Sequence, residues 1–158
     1  MKELFKTFIP NLGAQVILFL YIVASILTII VFVTNSQDGL INNSYGLVLG
    51  SIPLVGAVYG LYLSRNWGSW GSALGKGVIF LSLGLLSWSI GTYIFAGYYN
   101  LYVDVAVPYP SVADAAYILS WPLWGMGMFY LAKATGAKYG LRSLGGKYTL
   151  FLIPLVAI

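Results

Sequence analysis

All eight Lys and Arg residues of this chain fall on one side of a membrane when its apolar runs are read as transmembrane helices. Lys2 and Lys6 precede the first run, Arg65 and Lys76 separate the second from the third, and Lys133, Lys138, Arg142 and Lys147 separate the fourth from the fifth. The two alternate connections carry no Lys or Arg, and they hold Asp38, Asp104 and Asp114, three of the four acids. Orientation in a bilayer follows the Lys/Arg bias of short loops. The pattern therefore predicts a multi-pass protein of the cell membrane with a cytoplasmic N-terminus. Loops 65–76 and 133–147 are expected inside, and loops 34–44 and 98–113 outside.

Composition leads to the same solvent. Of 158 residues, 59% are hydrophobic and 8% charged, whereas soluble domains carry about 25% charged residues. The charges are grouped between apolar runs instead of lining helix faces, as lipid-facing helices require. The net charge of +4 resides in these orientation signals and forms no basic aromatic groove, so nucleic acid is not an expected partner. There is no cysteine and no histidine. Disulfides, thiolate nucleophiles, zinc sites of the usual ligand types and His-based acid–base chemistry are thereby excluded. With no nucleophile–base pair in view, the chain reads as a non-enzyme, and no cofactor is expected.

The expected fold is an all-α polytopic transmembrane bundle with four full spans and the start of a fifth. The spans fall at about 14–33, 45–64, 77–97, 114–132 and 148–158, forming a single integral membrane domain. The first run is about 20 residues long, enough for the ~30 Å hydrocarbon core and too long for a signal-peptide core of about 7–15. Val33-Thr34-Asn35 is also a poor cleavage context, so the run reads as a retained anchor. The fifth run, Tyr148 to Ile158, would reach only ~16 Å as a helix, which predicts that the protein continues beyond it.

A tandem hairpin repeat, 45–97 and 114–158, is suggested by two matches. Ser51-Ile52-Pro53-Leu54-Val55-Gly56 resembles Ser120-Trp121-Pro122-Leu123-Trp124-Gly125 at an offset of 69. Lys76 with Phe80-Leu81 resembles Lys147 with Phe151-Leu152 at an offset of 71. Parallel repeats of this kind occur among transport folds.

Small residues mark the packing faces. In the second span Gly46, Gly50, Pro53, Ala57, Gly60 and Ser64 recur at steps of three and four. In the third, Gly77, Gly84 and Gly91 recur every seven, with Ser87 beside them. Such faces permit close backbone approach where lipid removes any hydrophobic drive between helices. The two faces are expected to meet, through Gly46, Gly50, Gly60, Gly84 and Gly91; a groove for a lipid or pigment is the functional alternative. Pro53, Pro122 and Pro154 predict kinks, or carbonyls exposed as in transporters. No charged residue stands near the middle of a span, which argues against ion-coupled transport.

The outer segment Pro108-Tyr109-Pro110-Ser111-Val112-Ala113-Asp114-Ala115-Ala116-Tyr117 is the most specific string. Ser111 and Asp114 form a Ser-x-x-Asp capping box for the fourth helix, and the carboxylate suits the positive helix end. Pro108 and Pro110 stiffen the approach. With Tyr98, Tyr99, Tyr102, Tyr109 and Tyr117 around it, the segment is also a candidate outer sensing surface, in which Asp114 would take part.

This Pro-x-Pro-Ser-x-Ala-Asp-x-x-Tyr string, leading into an apolar helix with a proline, resembles a segment of multi-span membrane regions of bacteria. Some of those regions precede cytoplasmic signalling domains such as diguanylate cyclases, cyclic-di-GMP phosphodiesterases or sensor kinases. The resemblance covers mainly residues 108–125. It implies membrane architecture and signalling, and it carries no catalytic motif. The expected function is thus a membrane sensory or anchoring module at the N-terminus of a longer protein. The alternatives are a transporter or permease-like unit of repeated hairpins, and a structural subunit of a membrane complex. Expected partners are the lipid bilayer and a second copy or another membrane subunit.

Overall fold

The computed structural model describes residues 12–34, 40–103 and 106–136. Among them the chain is helical and contains no strand. Helix α1 is Leu12–Thr34, α2 is Leu40–Ser64, α3 is Ala73–Thr92 and α4 is Val112–Ala134. Two 3₁₀ turns, Arg65–Trp67 and Ser69–Gly71, join α2 to α3, and a π-helix, Tyr93–Val103, prolongs α3. Three helical stretches are long and apolar enough to cross a membrane: Leu12–Thr34, Ser44–Trp67 and Ala73–Val103. These mark the chain as a membrane protein. The residues of the expected fourth span form the helix α4, which is not among those three, and the expected fifth lies outside the described residues.

The packing is the inverse of a soluble bundle. The largest fully buried side chains are Ser89 and Ser120, and the buried apolar residues are Ala24, Ala57, Ile79, Ala96 and Ala113. Phe19, Ile29, Phe32, Ile118, Trp121 and Phe129 instead point outward, each more than 60% exposed. In water that arrangement would forfeit the burial of large side chains and leave an extended apolar surface. In lipid it is the expected solution, with small residues where backbones approach and bulky ones against the acyl chains.

Helix α3 is the hub. It packs most extensively on α4, then on α2, while α1 packs mainly on α2. The α2–α3 turn is closed by backbone fit. Gly68, at φ +83°, ends the first 3₁₀ turn in the left-handed region that glycine enters freely. A Cβ on Gly75 would lie 2.6 Å from the Ser69 amide nitrogen, so the first turn of α3 abuts the connection directly. Ser72 caps α3, its hydroxyl accepting from the Gly75 amide at 2.8 Å and donating to the Trp67 carbonyl.

Both faces of α3 are glycine-fitted, and this corrects one expectation. Cβ positions built on Gly46 and Gly50 of α2 come within 2.8 Å of Ala96 Cβ and 3.0 Å of Thr92 Cγ2, and that on Gly60 meets Ser82. The α2 face therefore does meet α3. The seven-residue glycine series of α3, however, turns away from α2 toward α4. Gly77 lies against Leu131, Gly84 against Trp124 and Gly91 against Tyr117. These partners also step by seven, in the opposite direction, as two antiparallel helices in fixed register demand. Gly127 of α4 returns the fit by receiving Leu81. The reason is volume: glycines opposite the already small α2 face would leave a gap, whereas opposite Leu131, Trp124 and Tyr117 they form sockets.

Candidate functional site

The helix ends separate by charge. Antiparallel pairing sets Arg65, Lys76 and Lys133 at one end of the bundle and Asp114 at the other. At the Asp114 end the expected helix cap is present in full. Ser111 Oγ accepts from the Asp114 amide at 3.2 Å, and the Ser111 amide donates to Asp114 Oδ2 at 2.7 Å. The hydroxyl donates to the same carboxylate oxygen at 3.0 Å. Asp114 is therefore committed to its own helix start, which leaves less of it for a ligand.

The tyrosines divide into three groups. Tyr98, Tyr99 and Tyr102 cluster, with ring centroids 5.2 Å apart for Tyr98–Tyr99 and 6.2 Å for Tyr98–Tyr102. They stand on the π-helical prolongation of α3, whereas sequence reading placed them on a loop from residue 98 onward. Apolar and aromatic residues continue to Val103, so the helix does too, and periodicity does not distinguish an i→i+4 ladder from i→i+5. Tyr109 is 93% exposed and projects from the α3–α4 connection.

Tyr117 belongs to the bundle, not to the outer surface. It begins about 7.5 Å below Val112 at ~1.5 Å per residue, and its ring closes on Gly91 and on Trp88, at 4.8 Å between centroids. Its hydroxyl donates to Thr92 Oγ1 at 3.3 Å. The five tyrosines of the expected single surface are thus a cluster of three on the π-helix, one exposed ring on the connection and one ring packed between α3 and α4.

Polar contacts inside the bundle run through α3 to both neighbours. Ser89 Oγ donates to the Gly50 carbonyl of α2 at 2.7 Å, and Ser87 Oγ donates to the Ala116 carbonyl of α4 at 2.7 Å. Tyr93 of the π-helix shares a 2.7 Å hydrogen bond with Ser51, which itself donates to the Leu47 carbonyl. Pro53 and Pro122 sit inside α2 and α4 without ending either helix. Among the described residues no buried side-chain nitrogen or oxygen lacks a hydrogen-bond partner.

Two further aromatic clusters pack against these helices, the first of them built from tryptophans that the sequence offered as possible pocket lining. Trp88, Trp124 and Trp121 extend the Tyr117 contact outward, with centroids 5.7 Å and 6.2 Å apart. At the basic end Phe80 stacks on Tyr130 at 5.6 Å and meets Trp70 edge-on at 5.7 Å. Lys76 Nζ lies 5.8 Å from the Tyr130 ring centroid, within cation–π range. The seven-residue series Tyr117, Trp124, Leu131 was the available signal, because it matches the glycine series of α3.

What these features define is a helical membrane protein built around a central helix. The chain matches no family model, no curated protein and no solved structure.

Proposed function

We propose that the chain is a multi-pass sensory or anchoring module of the cell membrane, with its N-terminus in the cytoplasm and its tyrosine-bearing end outside. The observation that carries this reading is the continuity of α3. One helical body runs from the Tyr98–Tyr99–Tyr102 cluster, through hydrogen bonds to both neighbours, to the turn that precedes Lys76. A displacement at the outer end has a direct mechanical route to the inner end. The π-helical segment is a natural place for it to start, since i→i+5 turns often mark functional positions in helices. The permease alternative has less support, because the interior serines are each committed to a carbonyl instead of lining a path.

The test is transmission. In protein reconstituted into lipid nanodiscs, a fluorophore on Asn66→Cys reports the α2–α3 turn. The double substitution Tyr98→Ala/Tyr102→Ala should shift its emission while helix content stays constant. An unchanged probe in a folded variant would remove the sensing claim and leave an anchor.

A further inference from the structure

The basic end of the bundle holds cations that no carboxylate among the described residues faces. Lys76 stands in the first turn of α3, which carries no acidic residue. A positive side chain there meets the positive end of the backbone dipoles. A neighbouring acid would ordinarily offset this, yet residues 39–103 and 115–158 contain no Asp or Glu. Asp114, the acid that the structure describes, lies at the opposite end. The Lys76 ammonium is instead held over the Tyr130 ring, 5.8 Å from its centroid. The ring attracts the cation without cancelling its charge. Lys133 is exposed in the last turn of α4. It follows Tyr130 by three residues and so lies on the same side of that helix. Two cations therefore flank one ring.

We propose that Lys76, Tyr130 and Lys133 form a site for the headgroup of an anionic phospholipid, with its phosphate between the two ammonium groups. Charge selects an anion: two cations and a helix N-terminus converge here without an acid. The rings select an amphiphile over a free ion. Tyr130 stacks on Phe80, which meets Trp70 edge-on. Trp70 is 55% exposed and Trp67 47%, as suits rings at headgroup depth. Phe80 lies one turn further along α3 than Lys76, so an acyl chain has an aromatic wall to follow from the phosphate into the bilayer. Basic pockets between membrane helices take lipid headgroups in this way. Arg65 carries the same charge at the same end, but it stands where α2 stops, away from Tyr130. It is the internal control for charge without the ring. The site rests on the membrane assignment alone and is independent of the sensing role.

The test is native mass spectrometry of the full chain in detergent, titrated with phosphatidylglycerol, phosphatidylcholine or inorganic phosphate. The parent should retain phosphatidylglycerol at concentrations where phosphatidylcholine is lost. Lys76→Gln should weaken that retention about fivefold, the usual worth of one basic residue at an anionic membrane surface. Lys133→Gln should act in the same direction. Tyr130→Leu should also weaken it, whereas Tyr130→Phe, Lys76→Arg and Arg65→Gln should leave it unchanged. Equal retention of the two lipids by the parent, which needs no variant to fold, would overturn the site. So would equal losses from Arg65→Gln and Lys76→Gln, which would reduce it to general surface charge. Displacement of the lipid by inorganic phosphate at equal concentration would overturn it in favour of a free anion. Glu3 lies outside the described residues, and retention that arises only in Glu3→Gln would overturn it in favour of an internal ion pair.

Discussion

Trp124 lies against Gly84, its indole Cγ 3.0 Å from the place where a Cβ on that glycine would stand. Glycine at this position sets how closely α3 and α4 approach. Gly84→Ala forces the indole to move, and overpacking of this kind costs about 1–3 kcal/mol. Thermal unfolding in nanodiscs should show the loss, and Trp124→Leu should recover most of it in the Gly84→Ala background. A variant as stable as the parent would mean that the two helices are not locked here.

Ser89 is completely buried and donates to the Gly50 carbonyl at 2.7 Å. Hydrogen bonds between membrane helices average about 0.6 kcal/mol and reach about 1.7. Ser89→Ala should lose an amount in that range. Ser25→Ala, which removes only a hydroxyl bonded within α1 to Tyr21, should be neutral. Denaturant titration of both variants in the same detergent checks the difference.

The number and order of the described helices were legible from apolar runs and loop charges, because lipid imposes length and composition on any span. The Ser111–Asp114 cap was legible because it is local. The partner of the Gly77, Gly84 and Gly91 face was not. A small face states that something packs closely, and the identity of the neighbour depends on matching volume elsewhere in the chain. Tyr117 was misplaced for a related reason: as an outer residue it would suit a surface, yet its ring fills the socket at Gly91. The π-helix from Tyr93 had no signal in residue spacing.

Ser111→Ala should remove about 1 kcal/mol from the start of α4, the usual loss for an N-cap serine. Hydrogen exchange should rise at residues 113–115 and remain unchanged near Lys133. Because Ser111 and Asp114 bond reciprocally, Ser111→Ala/Asp114→Ala should lose less than the two single variants together. Additive losses would mean that the two residues act separately.

The proposed sidedness rests on Lys and Arg placement and is checked by labelling intact cells. Asn66→Cys, on the exposed α2–α3 turn, should resist an impermeant thiol reagent, and Ala106→Cys, exposed on the α3–α4 connection, should react. The opposite pattern would invert the topology.

We propose that α4 also crosses the bilayer within this inside-out bundle. Its 23 residues give about 34 Å at ~1.5 Å per residue, against a core of ~30 Å. The most direct measurement places a spin label in turn at Ile118, Trp121 and Met128 in lipid nanodiscs, and compares collision with oxygen and with a water-soluble nickel complex. A spanning α4 predicts that oxygen dominates at all three sites, with a maximum at Trp121 and a decline toward both ends. Nickel access equal to oxygen along the helix, or oxygen access rising steadily from one end to the other, would contradict it.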